Sequence, residues 1–244
     1  MEKIINDFIK FNEVEAIAIG GSSAAQTSDN ISDIDVYVFV NKEISVPLRE
    51  EIVKKYSSNY EVGGEYFGAG DEFFVDKLNR QLDVMYWNVD WFNSVVQNVW
   101  EKHYPSNGYT TCFLYTLKNF QILYDKSGWL KSLQEQLNTP YPPELKQNII
   151  KRNLMLMKDK PFASYYEQIE KALTRNDFVS VNHRISAFLA SYFDVIFALN
   201  ETLHPGEKRL MNYAKENINS LLKEPHEDTL KILDNMVNSL YKIL

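Results

Sequence analysis

Residues 14–40 contain the feature that most restricts this chain. The apolar run Val14–Ile19 ends on Gly20-Gly21-Ser22-Ser23, and after a polar spacer Ser32-Asp33-Ile34-Asp35-Val36 opens a β-branched and aromatic run to Val40. Both runs have the composition of strands, so the segment reads as strand, glycine turn, strand. Asp33 and Asp35 lie two apart and leave the same face, while Ile34 and Val36 point the other way. That face is not expected to be an ordinary core face. Two carboxylates at this spacing repel unless a cation joins them, and a hard dication such as Mg²⁺ takes carboxylate oxygens together with substrate phosphates. Gly20 and Gly21 let a backbone approach a ligand without a Cβ, and Ser22 and Ser23 add hydroxyl and N–H groups suited to phosphate. No Gly-Lys-Ser/Thr follows, so this is not a Walker A loop. A bare Asp-Ile-Asp reads equally well as solvated acids on an edge strand, and a lone Gly-Gly-Ser as a turn. Together they point to a site for a metal-bound nucleoside triphosphate.

Composition bounds the remainder. With 45% hydrophobic and 14% aromatic residues in 244, the chain has ample material for a core. Cys112 is the only cysteine, which excludes a disulfide framework or a thiolate zinc site and favours a reducing compartment. The N-terminal Met1-Glu2-Lys3-Ile4-Ile5-Asn6-Asp7 lacks the pattern of a signal peptide, and no run has the length of a membrane span, so a cytoplasmic protein without a membrane partner is expected. A formal charge of −7 without a Lys/Arg-dense stripe argues against a nucleic-acid partner and favours a small, even cationic, substrate.

Period-two alternation over the first ~110 residues gives way to helical spacing, which predicts an α+β fold: a mixed sheet flanked by helices, then a C-terminal helical bundle. Strands are expected at 14–19, 34–40, around 60–62 and 73–75, and at 81–86, with a helix opened by Pro47 and another capped by Asp90. Pro140, Pro142 and Pro143 mark the linker, giving domains of 1–138 (core 1–110) and 139–244. The second holds about four or five helices, including a long apolar one from Val179 to Leu199 and a terminal one from Thr229 to Leu244.

A two-cation phosphoryl-transfer site needs a further acid. Asp83 fits, because Leu82-Asp83-Val84 places a carboxylate among apolar residues on an expected strand, where it is costly without a partner. Asp71, Asp76 and Asp90 compete less well, being read at loop or cap positions.

Ile19-Gly20-Gly21, a spacer of eleven residues, Asp33-Ile34-Asp35-Val36 and the later Asp83 resemble the signature of the nucleotidyltransferase superfamily typified by DNA polymerase beta, over about the first 90 residues. The helical remainder resembles in layout the aminoglycoside and lincosamide nucleotidyltransferases of bacteria. The resemblance implies an enzyme that moves a nucleoside monophosphate, most simply AMP, from a nucleoside triphosphate to a hydroxyl of a small molecule, with pyrophosphate leaving. It further implies two Mg²⁺ ions held by Asp33, Asp35 and Asp83, with Asp83 also positioning the nucleophile, and phosphates held at Gly20, Gly21, Ser22 and Ser23.

Lys208, with Arg209, follows the turn at Pro205 and is a candidate for the triphosphate; the alternative is a solvated cation in a helix connection. Arg184 reads more readily as a paired structural arginine. Tyr165, Tyr166, Phe188, Tyr192 and Phe193 have the spacing of core residues. His183 and His204 lack the partners of a metal or nucleophile constellation. Glu167, Glu170 and Glu201 are candidate general bases that no motif separates. Two other readings stand beside the small-molecule transferase: a protein-modifying nucleotidyltransferase of the toxin-antitoxin kind, and a non-catalytic nucleotide-binding protein of the same fold. Neither the acceptor nor the oligomeric state is encoded in a short motif.

Overall fold

The computed structural model describes residues 1–21, 33–66, 68–159 and 164–214. Over these residues the architecture is α+β: a mixed six-stranded sheet flanked by helices, then a helical C-terminal part. The strands are β1 (Val14–Ile19), β2 (Ile34–Val40), β3 (Tyr60–Gly64), β4 (Gly70–Val75), β5 (Arg80–Asn88) and β6 (Gln121–Asp125), in the order β3-β4-β5-β2-β1-β6. β2 and β5 run parallel, and the other four pairings are antiparallel.

Both faces of the central strands are covered, which is why they are so rich in Val, Ile, Phe and Tyr. On one face Ile17, Val36, Val38, Leu82 and Val84 pack under α1 (Glu2–Phe8) and α2 (Val46–Val53). On the other, Ala16, Ala18, Tyr37 and Phe39 meet α3 (Val89–Val96), α4 (Cys112–Lys118), α5 (Trp129–Gln136) and α6 (Pro143–Leu154). This second cluster extends to Ala198 of α8 (Phe178–Leu199), so residues on either side of position 138 share it. α7 (Tyr165–Thr174) begins at Ser164, whose Oγ accepts from the Glu167 N–H at 3.3 Å.

Several local details depart from the expectation. β6 lies in the stretch read as helical: Gln121-Ile122-Leu123-Tyr124-Asp125 follows directly on α4, and pairing with β1, not its own pattern, makes it a strand. The cap of α3 is Asn88, whose side chain accepts from the Trp91 N–H at 2.9 Å, while Asp90 sits inside the first turn. Tyr166 is 48% exposed and lies under the Lys158 ammonium, not in the core. Among the described residues no helix is long and apolar enough to cross a membrane.

Met1–Lys208 forms one compact unit. Of the second, Arg209–Leu244, residues 209–214 are described: Arg209 has a left-handed φ of 60° and precedes a 3-10 turn, Leu210–Tyr213. The expected helix from Thr229 to Leu244, like Ser22 and Ser23, falls outside the described residues.

Candidate functional site

Parallel pairing of β2 with β5 sets Asp35 directly opposite Asp83. Antiparallel pairing of β5 with β4 sets Glu72 opposite Asp83, and pairing of β4 with β3 sets Glu61 opposite Glu72. Register partners point to the same face, and neighbouring strands lie ~4.8 Å apart. Four carboxylates, Asp35, Asp83, Glu72 and Glu61, therefore form one transverse row across four strands. Asp33, exposed and two residues before Asp35, precedes β2 on the same side.

The row occupies only one end of its face. Two residues further along, the same face carries Tyr37 and Met85, then Phe39 and Trp87, packed edge to face. The face that Asp33 and Asp35 share is thus polar at its start and core beyond it, which the spacing of the acids alone did not reveal.

The glycine turn is fixed to this row. The Gly20 N–H donates to the Asp35 carbonyl at 3.0 Å, and a Cβ on Gly20 would press on the Tyr37 and Phe120 rings. Gly21 has φ +62°, and a Cβ there would overlap the Asp35 carboxylate. In this structure the two glycines make room for Tyr37, Phe120 and Asp35.

Charge in the row is poorly balanced. Burial, then the charge of Asp83 and more weakly that of Asp33, raises the Asp35 carboxyl above its ordinary range; the Lys208 ammonium opposes the rise. Lys208, singled out from the sequence, thus acts on Asp35, at the inner end of the row. Glu72 is raised as well, by desolvation first and then by Asp83, Glu61 and Asp33. Asp83 accepts from Gln81 Nε2 at 2.8 Å. Beside the row lies a cavity of about 230 Å³, lined in part by Asp35, Asp83, Glu72, Glu61, Tyr66 and Met85, with Tyr66 88% exposed. All the donors of the row are hard oxygens, the chemistry a Mg²⁺ ion takes, and two of them plus phosphate oxygens are enough for it. Among the described residues no group of three or more His, Cys, Asp or Glu side chains is gathered tightly enough to enclose an ion.

Asp71 is not a loop acid. It lies in β4, 1% exposed, with Oδ1 2.9 Å from Arg49 Nη1 and 3.0 Å from the Gly63 N–H, while Oδ2 accepts from the Tyr86 hydroxyl at 2.6 Å. Arg49 also stacks on the Tyr86 ring, 4.5 Å from its centroid. Of the candidate bases, Glu167 sits in the first turn of α7, Glu170 is exposed on the same helix, and Glu201 is held by Lys146 at 2.8 Å. Arg184 and His183 are exposed on α8. His204 is buried between the Tyr109 and Phe197 rings.

Glu72, Glu61, Gln81 and Tyr66 escaped the reading of the sequence. Extending the strand seen at 73–75 back to Asp71 would have set Asp71, Phe73 and Val75 on one face and Glu72 and Phe74 on the other; nothing in the sequence gives the cross-strand register.

The model of a family described as a domain of unknown function, DUF4037, matches residues 109–210. No curated protein matches the chain. Among solved structures, a nucleotidyltransferase-like protein from Exiguobacterium sibiricum 255-15 is similar with a TM-score of 0.45 and 10% identity, over 92% of this chain and 67% of that one. A toxin-antitoxin structure with AMP-PNP gives a TM-score of 0.33 and 14% identity, over 65% of this chain and 95% of that one. Spectinomycin adenyltransferase AAD(9) from Enterococcus faecialis, with ATP and spectinomycin, gives a TM-score of 0.29 and 17% identity, over 90% of this chain and 95% of that one.

Proposed function

We propose that the chain is a Mg²⁺-dependent nucleotidyltransferase that moves a nucleoside monophosphate, most simply AMP, from a nucleoside triphosphate to a hydroxyl of a small molecule. The observation that carries the reading is the register of Asp35 against Asp83 across β2 and β5, with Asp33 two residues away. Side-by-side carboxylates destabilise a sheet unless something positive offsets them.

Asp33, Asp35 and Asp83 would hold the metal. When bound there, Mg²⁺ supplies positive charge that offsets the triphosphate and the departing pyrophosphate. The acceptor oxygen forms a bond to the α-phosphorus as the bond from that phosphorus to the bridging oxygen breaks. The two electrons of the broken bond leave with pyrophosphate. Asp83 orients the acceptor hydroxyl and accepts its proton, and Lys208 adds charge toward the triphosphate. The Gly20-Gly21 turn, with Ser22 and Ser23, receives the β and γ phosphates. Residues 1–138 carry the acids and the glycine turn, and 139–244 supply Lys208 and select the acceptor.

The test is transfer of label from [α-³²P]ATP, with Mg²⁺, to a panel of hydroxyl-bearing small molecules. Label on an acceptor with matching pyrophosphate release, both lost in Asp35→Asn and Asp83→Asn, is expected. Calorimetric binding of Mg-ATP with no release of pyrophosphate against any acceptor would sink the enzymatic reading. Label on a co-expressed protein instead of a small molecule would replace the acceptor.

A further inference from the structure

Asp83 stands between two acids, Asp35 on β2 and Glu72 on β4. Its lateral neighbours therefore offer only acceptors, and nothing in the row fixes how its carboxylate turns. Gln81 does. It lies two residues earlier on β5, leaves the same face, and its Nε2 donates to Asp83 Oδ1 at 2.8 Å. The orientation of this amide is forced by chemistry, because an ionised carboxylate accepts only and the carbonyl end of Gln81 has no proton to give.

Resting on the function proposed above, we propose that Gln81 is a positioning residue for Asp83: it fixes Oδ1 and leaves Oδ2 to face the divalent cation and the acceptor. Two features favour an amide here. Lys or Arg would hold Asp83 as firmly but would add positive charge beside a cation site and repel the ion. An apolar side chain would leave the carboxylate free to rotate between two acids that repel it. A neutral donor orients the ligand without weakening the charge of the row. Outer hydrogen-bond partners of metal ligands act in this way, and their loss commonly costs 10–100-fold in metal affinity.

The experiment compares the full-length wild type with Gln81→Met, which keeps the length of the side chain and removes the donor, and with Gln81→Ala as a second variant should the thioether pack poorly. Binding of Mn²⁺ to the protein, alone and with a non-hydrolysable ATP analogue, is read by electron paramagnetic resonance, beside the thermal midpoint. The expected result is a ~10–100-fold weaker Mn²⁺ affinity at an unchanged midpoint. In the transfer assay the Mg²⁺ concentration for half-maximal rate rises by a similar factor, while the rate at saturating Mg²⁺ recovers most of its wild-type value. A purely structural role for Gln81 lowers the midpoint and leaves Mn²⁺ affinity alone, and that result overturns the proposal. Wild-type Mn²⁺ affinity in a folded Gln81→Met or Gln81→Ala protein overturns it too, while leaving the transferase reading standing. Absence of protein-bound Mn²⁺ in the wild type, both alone and with the ATP analogue, removes both.

Discussion

Asp71 and Glu72 are consecutive in β4 and meet opposite surroundings. Asp71 turns into a closed polar network in which Arg49, Tyr86 and the Gly63 N–H occupy its two oxygens. Glu72 turns to the other face and joins a row of carboxylates, with Asp83 on one side and Glu61 on the other. Burial raises both groups, but Asp71 is offset by three donors, whereas the neighbours of Glu72 push it further in the same direction. One acid is satisfied by the fold. The other belongs to an arrangement the fold leaves unbalanced, and unbalanced charge retained in a folded protein marks the region where function is to be sought. The comparison predicts that removing acids from the two regions has opposite effects on stability.

The largest effect falls on the satisfied region. Asp71→Ala strands Arg49 at 2% exposure, together with the Tyr86 hydroxyl and the Gly63 N–H, and is expected to cost about 3–5 kcal/mol in urea unfolding. The double variant Arg49→Met with Asp71→Leu removes both charges and should recover most of that loss. A single variant that unfolds within about 0.5 kcal/mol of wild type, the range of ordinary surface changes, breaks the comparison.

Asp35→Asn acts in the reverse sense. Transfer is expected to fall by ~10²–10³-fold, the scale of losing one preorganised electrostatic contact, roughly 2.7–4 kcal/mol of transition-state stabilisation. The thermal midpoint should stay level or rise, because desolvation of the carboxylate and its repulsion from Asp83 and Asp33 both disappear. A large loss of stability with this variant would show that the row is structural, as the Asp71 network is.

A second satisfied carboxylate sharpens the point through pH. Asp194 on α8 accepts from the Thr110 N–H at 3.0 Å, the Thr110 hydroxyl at 2.6 Å and Asn153 Nδ2 at 3.0 Å, yet burial still pushes it up to about 6. His204, whose Nδ1 accepts from the Gly206 N–H, is pushed by burial down to about 4. Between about pH 4 and 6 the native Asp194 binds more proton than the unfolded one, so its contribution to stability falls as pH rises. His204 binds less proton in the native state over about pH 4–6.5, so its contribution rises with pH. Each amounts to about 3 kcal/mol and they oppose one another. Asp194→Asn should therefore leave stability rising more steeply with pH than in wild type, and His204→Gln should leave it falling relative to wild type. Urea midpoints at pH 4.5, 5.5 and 6.5, values chosen within the window set by these shifts, measure both. Parallel profiles in all three proteins would refute the assignment.

Sequence reading reached the elements that announce themselves locally. β1 is a short Val, Ala and Ile run, β2 a β-branched and aromatic one, β5 alternates Leu82, Val84 and Tyr86 with other residues, and α8 is a long apolar helix, so each was visible without its partners. β6 was not, because five residues between two helices become a strand only on pairing with β1. Asp33 and Asp35 could be chosen for their spacing beside the glycine turn, and Asp83 because an acid among apolar strand residues is costly wherever the chain runs. The fate of Asp71 turned on Arg49, 22 residues away, and the row turned on register across β3, β4, β5 and β2. Neither follows from spacing along one strand. The meaning of Gly20 and Gly21 shifted for the same reason: the groups that a Cβ would strike, the Tyr37 ring and the Asp35 carboxylate, belong to the next strand.

The smallest expected effect is the most direct measure of the imbalance. Glu72→Gln keeps the shape of the side chain and removes one charge from between Asp83 and Glu61. Like charges directly opposite one another in a sheet cost about 0.2–1 kcal/mol, so the variant should be more stable than wild type by that amount at low salt. Added salt should shrink the gain, because Glu72 is exposed and its repulsion is screened. Glu61→Gln, at the end of the row with one acidic register partner instead of two, should gain less. In the presence of Mg-ATP the order is expected to invert: a ligand that binds the native state through the row loses affinity when the row loses charge, so wild type gains more stability from it than Glu72→Gln does. Stabilisation of Glu72→Gln that is the same with and without Mg-ATP would separate the outer half of the row from nucleotide binding and confine that role to Asp33, Asp35 and Asp83.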